Sequence, residues 1–242
     1  MPCNVGKLSW VGDRTDPAIA YDTLELSYHN KNATISDLKK ANKIVKKAKE
    51  NKNVIKFSTV GKFDDLKILA ISDGSYCKQD QKQKSVAGRF VFLSNKDETR
   101  VSPILWKSKT LAQVCKSAKA AETRSFDKSV DDGVYCARTV QEIYTGKRGD
   151  SQIPVTCVTD SQSLIDSIHS TKQIDEKLMR PLISWFKQCI DMKWITEIRW
   201  CDTHVCLADM LTKAGSNVTE AVRSVLKTGA MIDLKTAKKR QK

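Results

Sequence analysis

No apolar stretch in the 242 residues approaches the length of a membrane span, and the opening MPCNVGKLSW has no apolar signal core. Both absences give the expectation of an intracellular protein, cytoplasmic or nuclear, with no membrane partner. Histidine is scarce, with three in the whole chain, and none of the eight cysteines forms a C-x-x-C pair. A zinc module needs closely spaced cysteine or histidine ligands, so that class is set aside. Cys3, Cys77, Cys115, Cys136, Cys157, Cys189, Cys201 and Cys206 read instead as reduced, mostly buried small hydrophobes. Cys201 and Cys206, though close in sequence, read as two thiols in or beside a strand-to-helix loop. Internal repeats are also missing, which leaves one large or two small domains with an ordinary core.

Positive charge is plentiful. The net charge is +14, and its location matters more than its size. Residues 31–56 hold nine lysines against Asp37 and Glu50, and residues 227–242 hold five lysines and Arg240 against Asp233. The rest of the chain is nearly neutral. Two basic segments beside a neutral body suit a polyanion such as nucleic acid; the bland alternative is a solvated lysine face kept for solubility.

Taken in order, Asp16-Pro17 marks a helix start, with an acid as cap and proline at the first helical position. Thr34 or Ser36 opens a second helix that runs to about Glu50 and ends at Asn51 to Asn53. Leu38, Ala41, Ile44 or Val45, and Ala48 share one face of it. Lys39, Lys40, Lys43, Lys46, Lys47 and Lys49 cover the rest. The apolar side carries no tryptophan or phenylalanine, which weakens a membrane-surface role. VIKFSTV then reads as a short strand and Gly61 to Asp65 as a linker. Leu66 to Ile71, Ser85 to Leu93 and Val101 to Trp106 read as three strands of an antiparallel meander, with Pro103 placing the third near an edge. A long helix follows from about Lys116 to Tyr144. VTCVTD is a fourth strand, and Asp175 to Met192 is a helix that kinks or starts at Pro181. WITEIRW is a fifth strand, followed by short helices at Val205 to Lys213 and Val218 to Lys227 and a basic tail from Lys235.

This β-β-β-α-β-α-β-α order sets four acids at informative places. Asp73 ends the first strand, Glu122 lies in the first turn of the long helix, Asp160 ends the fourth strand, and Asp209 sits on the helix after the fifth. If the first and fourth strands are parallel neighbours, Asp73 and Asp160 emerge at the same sheet edge. A helix packed across that sheet could bring Glu122 there. Gathered carboxylates suit Mg²⁺ or Mn²⁺, and two such ions clamp the attacking and leaving oxygens of a phosphoryl transfer. Each acid also has a bland role: Asp73 in a turn, Glu122 favoured by the helix dipole, Asp160 as a helix cap, and Asp209 on a solvated face.

The motifs resemble the ribonuclease H domain of copia-type LTR retrotransposon polyproteins. The matching pieces are ISDGSY with Asp73, then Trp106-Lys107-Ser108-Lys109 followed by Val114 and Ser117, and Ala121-Glu122. VTDSQSLI with Asp160, ITEIRWCDT, and Leu207-Ala208-Asp209-Met210-Leu211-Thr212-Lys213 complete the set. The last is close to the family's L-A-D-x-L-T-K. Upstream, Gly6-Lys7-Leu8-Ser9-Trp10 and Arg14-Thr15-Asp16-Pro17 resemble the end of that family's reverse transcriptase, and the basic helix resembles the connection after it. The family's S-S-T-E-A-E-Y is replaced by Ser117-Ala118-Lys119-Ala120-Ala121-Glu122-Thr123, and the asparagine after the third acid is Ser161.

The resemblance implies an α/β, ribonuclease H-like fold: a five-stranded mixed sheet with flanking helices, preceded by a small helical connection segment. Its divisions would be a connection remnant at 1–60, the ribonuclease H-like domain at 61–215, and a C-terminal helix with a basic tail at 216–242. It implies hydrolysis of the RNA strand of RNA–DNA hybrids with two Mg²⁺ (or Mn²⁺) ions on Asp73, Glu122, Asp160 and Asp209. Lys39, Lys43, Lys46, Lys47, Lys107 and Lys109 would meet phosphates, and His204 would assist product release. The implied partners are the hybrid and the polymerase portion of a reverse transcriptase. The sequence holds no Y-x-D-D, so no polymerase activity is implied. Localisation in a virus-like particle is implied only for an active element. Two rival readings are a catalytically inactive nucleic-acid-binding remnant and a structural piece of a larger polyprotein.

Overall fold

The computed structural model describes residues 2–50, 54–76, 84–171 and 176–234. Asn51 to Asn53, Cys77 and the tail from Lys235 lie outside that set. Five strands form one mixed sheet: β1 (Leu66–Ser75), β2 (Val86–Asn95), β3 (Val101–Thr110), β4 (Val155–Thr159) and β5 (Glu197–Trp200). Their spatial order is β3-β2-β1-β4-β5. The first three form the expected antiparallel meander, while β4 runs parallel to β1 and β5 parallel to β4. Pro103 sits on β3, an edge strand, where its missing N–H costs no interior ladder bond.

Alternation along β1 sends Ile68 and Ala70 to one face and Leu69 and Ile71 to the other, and all four are fully buried. A strand buried on both faces reads as a continuous apolar run because helices cover both sides. The first face packs on α4 (Ala118–Thr145), α5 (Gln162–His169) and α6 (Arg180–Asp191). Phe126 of α4 meets Phe186 of α6 edge-to-face at 5.0 Å in this layer. The second face packs on a 3₁₀ turn at Leu207–Leu211 and on α7 (Thr219–Thr228), through Leu207, Leu211, Val222 and Val225.

Three N-terminal helices, α1 (Pro2–Arg14), α2 (Ala20–Ser27) and α3 (Ile35–Glu50), form a small layer around Val5, Leu8, Ile19, Leu26, Ala41 and Ile44. Asp16 caps the intervening Pro17–Ile19 turn by accepting from the Ala18 N–H at 3.1 Å. Thr34 is the residue that opens α3. Its hydroxyl accepts from the Asp37 N–H, and the Asp37 carboxylate accepts from the Thr34 N–H, a reciprocal capping box. The layer is fastened to the sheet by the Trp106 indole, which donates to the Gly12 carbonyl at 2.7 Å, and by Tyr28, whose hydroxyl bonds that of Thr110 at 2.7 Å. α3 packs on α1, α2 and the Pro17–Ile19 turn.

Several local readings change. Residues 54–60 form no strand: the Lys56 N–H donates to the Leu226 carbonyl, one of the orphan acceptors in the last turn of α7. The segment is therefore held by a helix end, with no ladder. Gly61 to Asp65 closes in a 3₁₀ turn at Phe63–Asp65. The helix containing Pro181 starts there, with proline in the first turn of α6. The segment after β5 is not an α-helix but two 3₁₀ turns, Thr203–Val205 and Leu207–Leu211. Cys115, Cys136, Cys157, Cys189, Cys201 and Cys206 are buried free thiols, and Cys3 is an exposed one.

Replacing Trp106 with phenylalanine leaves the buried Gly12 carbonyl without its donor. That substitution is expected to cost about 1–3 kcal/mol and to make α1 the first segment cut by protease. Urea unfolding together with mapped proteolysis checks it.

Candidate active site

The four acids predicted from the sequence come together at one end of the sheet. Asp73 lies within β1, opposite Gly88 of β2, and is 5% exposed. It is a strand residue and not part of a turn. Asp160 directly follows β4, which runs parallel beside β1, so both carboxylates leave the same edge. The Trp200 indole at the end of β5 donates to the Asp160 carbonyl at 3.1 Å, tying β5 to that edge.

Two glycines let the other acids approach. A side chain at Gly74 would lie 2.5 Å from the Ala121 carbonyl and 2.6 Å from Glu122 Cα. The start of α4 therefore rests directly on the β1 backbone. Ser125 pins it there, its hydroxyl donating to the Asp73 carbonyl at 2.7 Å. On the opposite face, a Cβ at Gly88 would lie 2.7 Å from the Ala208 carbonyl and 2.9 Å from Leu211 Cβ. That gap admits the 3₁₀ turn carrying Asp209. Gly74 and Gly88 flank Asp73, one in sequence and one across the ladder, and each admits one covering layer.

The bland roles fail at all four positions. Glu122 is the fifth residue of α4, just past the first turn, and Ser117 caps that helix by accepting from the Ala120 N–H. The cap of α5 is Ser161, which accepts from the Leu164 N–H, and not Asp160. Asp209 is 9% exposed, so it does not sit on a solvated face.

Each carboxylate is met by a polar side chain to which the sequence reading gave no site role. The Thr212 hydroxyl donates to Asp73, and the Ser161 hydroxyl donates to Glu122. Thr203 donates to Asp160 at 2.9 Å. Asp209 receives the Lys213 ammonium on one oxygen and Ser216 at 2.5 Å on the other. Lys213 also lies 3.7 Å from Asp73. A sequence signal existed for two of them: Thr212 and Lys213 stand three and four residues after Asp209, a spacing that turns them to the same side.

Burial is the largest influence on Asp160, and the nearby charges of Asp73 and Glu122 add to it, so its carboxyl is pushed up to about 6. Burial also raises Asp73, with Asp209 adding to it, against the pull of Lys213 and Thr212. Partial burial works against the Lys213 ammonium, but Asp73 and Asp209 outweigh it and hold it at about 12.

An all-carboxylate donor set fits Mg²⁺ or Mn²⁺ in its chemistry, and the raised acids are groups that a cation would relieve. As the side chains stand, no three acidic, histidine or cysteine groups among the described residues converge on one point that could hold an ion. The hydroxyl bonds that engage them are each worth only about 0.5–1.5 kcal/mol net, small enough to exchange for metal bonds.

The remaining predicted residues are dispersed. Lys107 and Lys109 are exposed on the edge strand β3. Lys39 and Lys43 are exposed on α3, and Lys46 pairs with Glu50 at 3.7 Å. Lys47 is engaged in the fold, donating to Asp22 and to the Ala18 carbonyl, both at 2.8 Å. His204 is exposed in the Thr203–Val205 turn, next to the Asp160 partner Thr203.

No protein-family model and no curated protein matches the chain. Among solved structures it is similar to the N-terminal RNase H domain of Rv2228c from Mycobacterium tuberculosis, solved as a fusion with maltose-binding protein. That match has 13% identity and a TM-score of 0.43, covering 65% of this chain and 98% of that one. LC11-RNase H1 in complex with an RNA/DNA hybrid is similar at 12% identity and a TM-score of 0.41, covering 64% and 99%. Prototype Foamy Virus protease-reverse transcriptase is similar at 16% and 0.37, covering 74% of this chain and 23% of that one. These scores transfer no residue roles. The mixed sheet in the order β3-β2-β1-β4-β5, with helices on both faces, is the five-stranded α/β architecture expected from the sequence.

The raised acids make the site sensitive to pH in chelator. Asp160 holds its proton more tightly folded (about 6) than unfolded (about 3.8). The stabilising effect of protonation is thus complete below the unfolded value and is lost as pH rises through 6. Wild type is therefore expected to melt higher at pH 5 than at pH 7. Asp160→Asn should raise stability at pH 7 by about 1–2 kcal/mol and lose most of the gain on acidification. Thermal melts across that range check both.

Proposed function

We propose that the chain is a divalent-metal-dependent ribonuclease H of retroelement origin, hydrolysing the RNA strand of RNA–DNA hybrids. The observation that carries this reading is the convergence of Asp73, Glu122, Asp160 and Asp209 on one sheet end, delivered by four separate elements. Structural ion pairs do not need four acids in one place. Phosphoryl transfer with divalent ions is served by such a cluster.

Asp73 and Asp160, on adjacent parallel strands, would be the shared ligands. Glu122 and Asp209, arriving from opposite faces, would complete the set. When bound, the ions activate a water and neutralise charge on the scissile phosphate, giving 3′-hydroxyl and 5′-phosphate ends. Ser161 holds the Glu122 carboxylate and Thr203 holds that of Asp160, so both acids are oriented before substrate arrives. Exposed Lys107 and Lys109 offer phosphate contacts, while hybrid recognition rests on duplex shape and the 2′-hydroxyls of the RNA strand. His204, exposed beside Thr203, would assist product release.

Incubation of a labelled hybrid with Mg²⁺ tests the reading. Wild type is expected to cut the RNA strand, and Asp73→Asn to cut at least about a hundredfold more slowly while keeping salt-sensitive binding. Equal cutting by both, or by neither, contradicts the assignment. Binding without cleavage in either protein would favour a non-catalytic remnant.

A further inference from the structure

We propose that Lys213 is a built-in counter-ion for the Asp73–Asp209 half of the site, so that a divalent ion enters that half only by displacing its ammonium. The proposal rests on reading the four acids as a metal centre, and it divides that centre into two unequal halves.

The division follows from the partners of each carboxylate. Both oxygens of Asp209 are taken, one by the Lys213 ammonium and one by Ser216. The same ammonium stands 3.7 Å from Asp73. Two buried acids, one on β1 and one on the packed turn, thus share one cation supplied by the chain. In the other half, the hydrogen-bond partners found for Asp160 and Glu122 are neutral hydroxyls, from Thr203 and Ser161. Neutral donors orient a carboxylate without neutralising it, and Lys213 is a smaller influence on Asp160 than burial or the charge of Asp73. The first ion therefore enters at Asp160 and Glu122, whose direct partners are hydroxyls and not an ammonium.

The geometry also gives Lys213 an exit. It follows the 3₁₀ turn four residues after Asp209, and its side chain is 46% exposed. The four-carbon stem can swing the charge into water without disturbing the packed turn, whose contacts are made by Leu207 and Leu211. An arginine or lysine buried on both sides would not be displaceable in this way. The lysine makes the second ion conditional: it binds when something else, such as the phosphate of a bound hybrid, draws the ammonium away.

The test counts Mn²⁺ ions bound to the full chain, by electron paramagnetic resonance of free Mn²⁺, in the absence of nucleic acid. Wild type and Lys213→Arg are expected to bind one ion clearly more tightly than the second. Lys213→Met is expected to bind the second ion about tenfold more tightly, and to melt lower than wild type in chelator but not in excess Mg²⁺. Equal stoichiometry and affinity in wild type and Lys213→Met, with binding weakened by Asp73→Asn, overturns the counter-ion role and leaves the metal centre standing. No Mn²⁺ bound by either protein overturns both. If Lys213→Met does not fold, the wild-type protein decides the matter through the Lys213 ε-methylene resonance during Mg²⁺ titration. Movement with the second equivalent supports displacement, and an unchanged signal while both ions bind overturns it.

Discussion

The site depends on how closely two layers can approach β1. Gly74 and Gly88 remove the Cβ atoms that would hold off α4 on one face and the Leu207–Leu211 turn on the other. The nearest atoms at Gly74 are all backbone, and those at Gly88 include the Ala208 carbonyl, so a rotamer change would not make room for a Cβ at either. Asp73 sits between them, in the strand that every other layer is built around. Without those two contacts the sheet could still form, because its register is set by apolar alternation from Leu66 to Ile71. Glu122 and Asp209 would then stand too far out to share anything with Asp73 and Asp160.

Bringing four acids together has an electrostatic cost, and the chain handles it locally. Burial and mutual repulsion raise Asp160 and Asp73. Against this, two of the carboxylates receive a hydroxyl from beside another acid: Ser161 follows Asp160 and serves Glu122, and Thr212 follows Asp209 and serves Asp73. The donors thus cross-link the elements as well as satisfying the acids. Elsewhere charge is handled in the ordinary way. Arg199, Lys67, Glu98 and Glu197 form a paired network across the strands, in which hydrogen bonds from Arg199 and Lys67 outweigh burial and hold Glu98 below its usual range.

The strands and the acids at their ends were legible because an apolar run ending in an acid leaves a local mark, while the cap of the long helix at Ser117 emerged only in the structure. The L-A-D-x-L-T-K match located Asp209 without revealing that its segment is a 3₁₀ turn, since helical spacing and 3₁₀ spacing coincide over five residues. VIKFSTV looked like a strand from β-branched content alone. Its fate was decided by an orphan carbonyl of α7 about 170 residues away, which no local pattern encodes. The role of Lys47 was hidden for the same reason: the Asp22 that engages it lies on another helix. Ser161 was read as a departure from the family pattern, and its bond to Glu122 exists only once α4 is docked.

The central claim is that four distant segments bring their acids to one sheet end, where a cation draws them together. Amide NMR of the folded chain with substoichiometric Mn²⁺ tests it most directly. The account predicts simultaneous loss of the Asp73, Gly74, Glu122, Asp160, Ser161 and Asp209 resonances, with the α3 amides around Lys39 and Lys43 unaffected. Broadening at scattered surface acids such as Asp64 and Asp65, with the four site acids untouched, would contradict it.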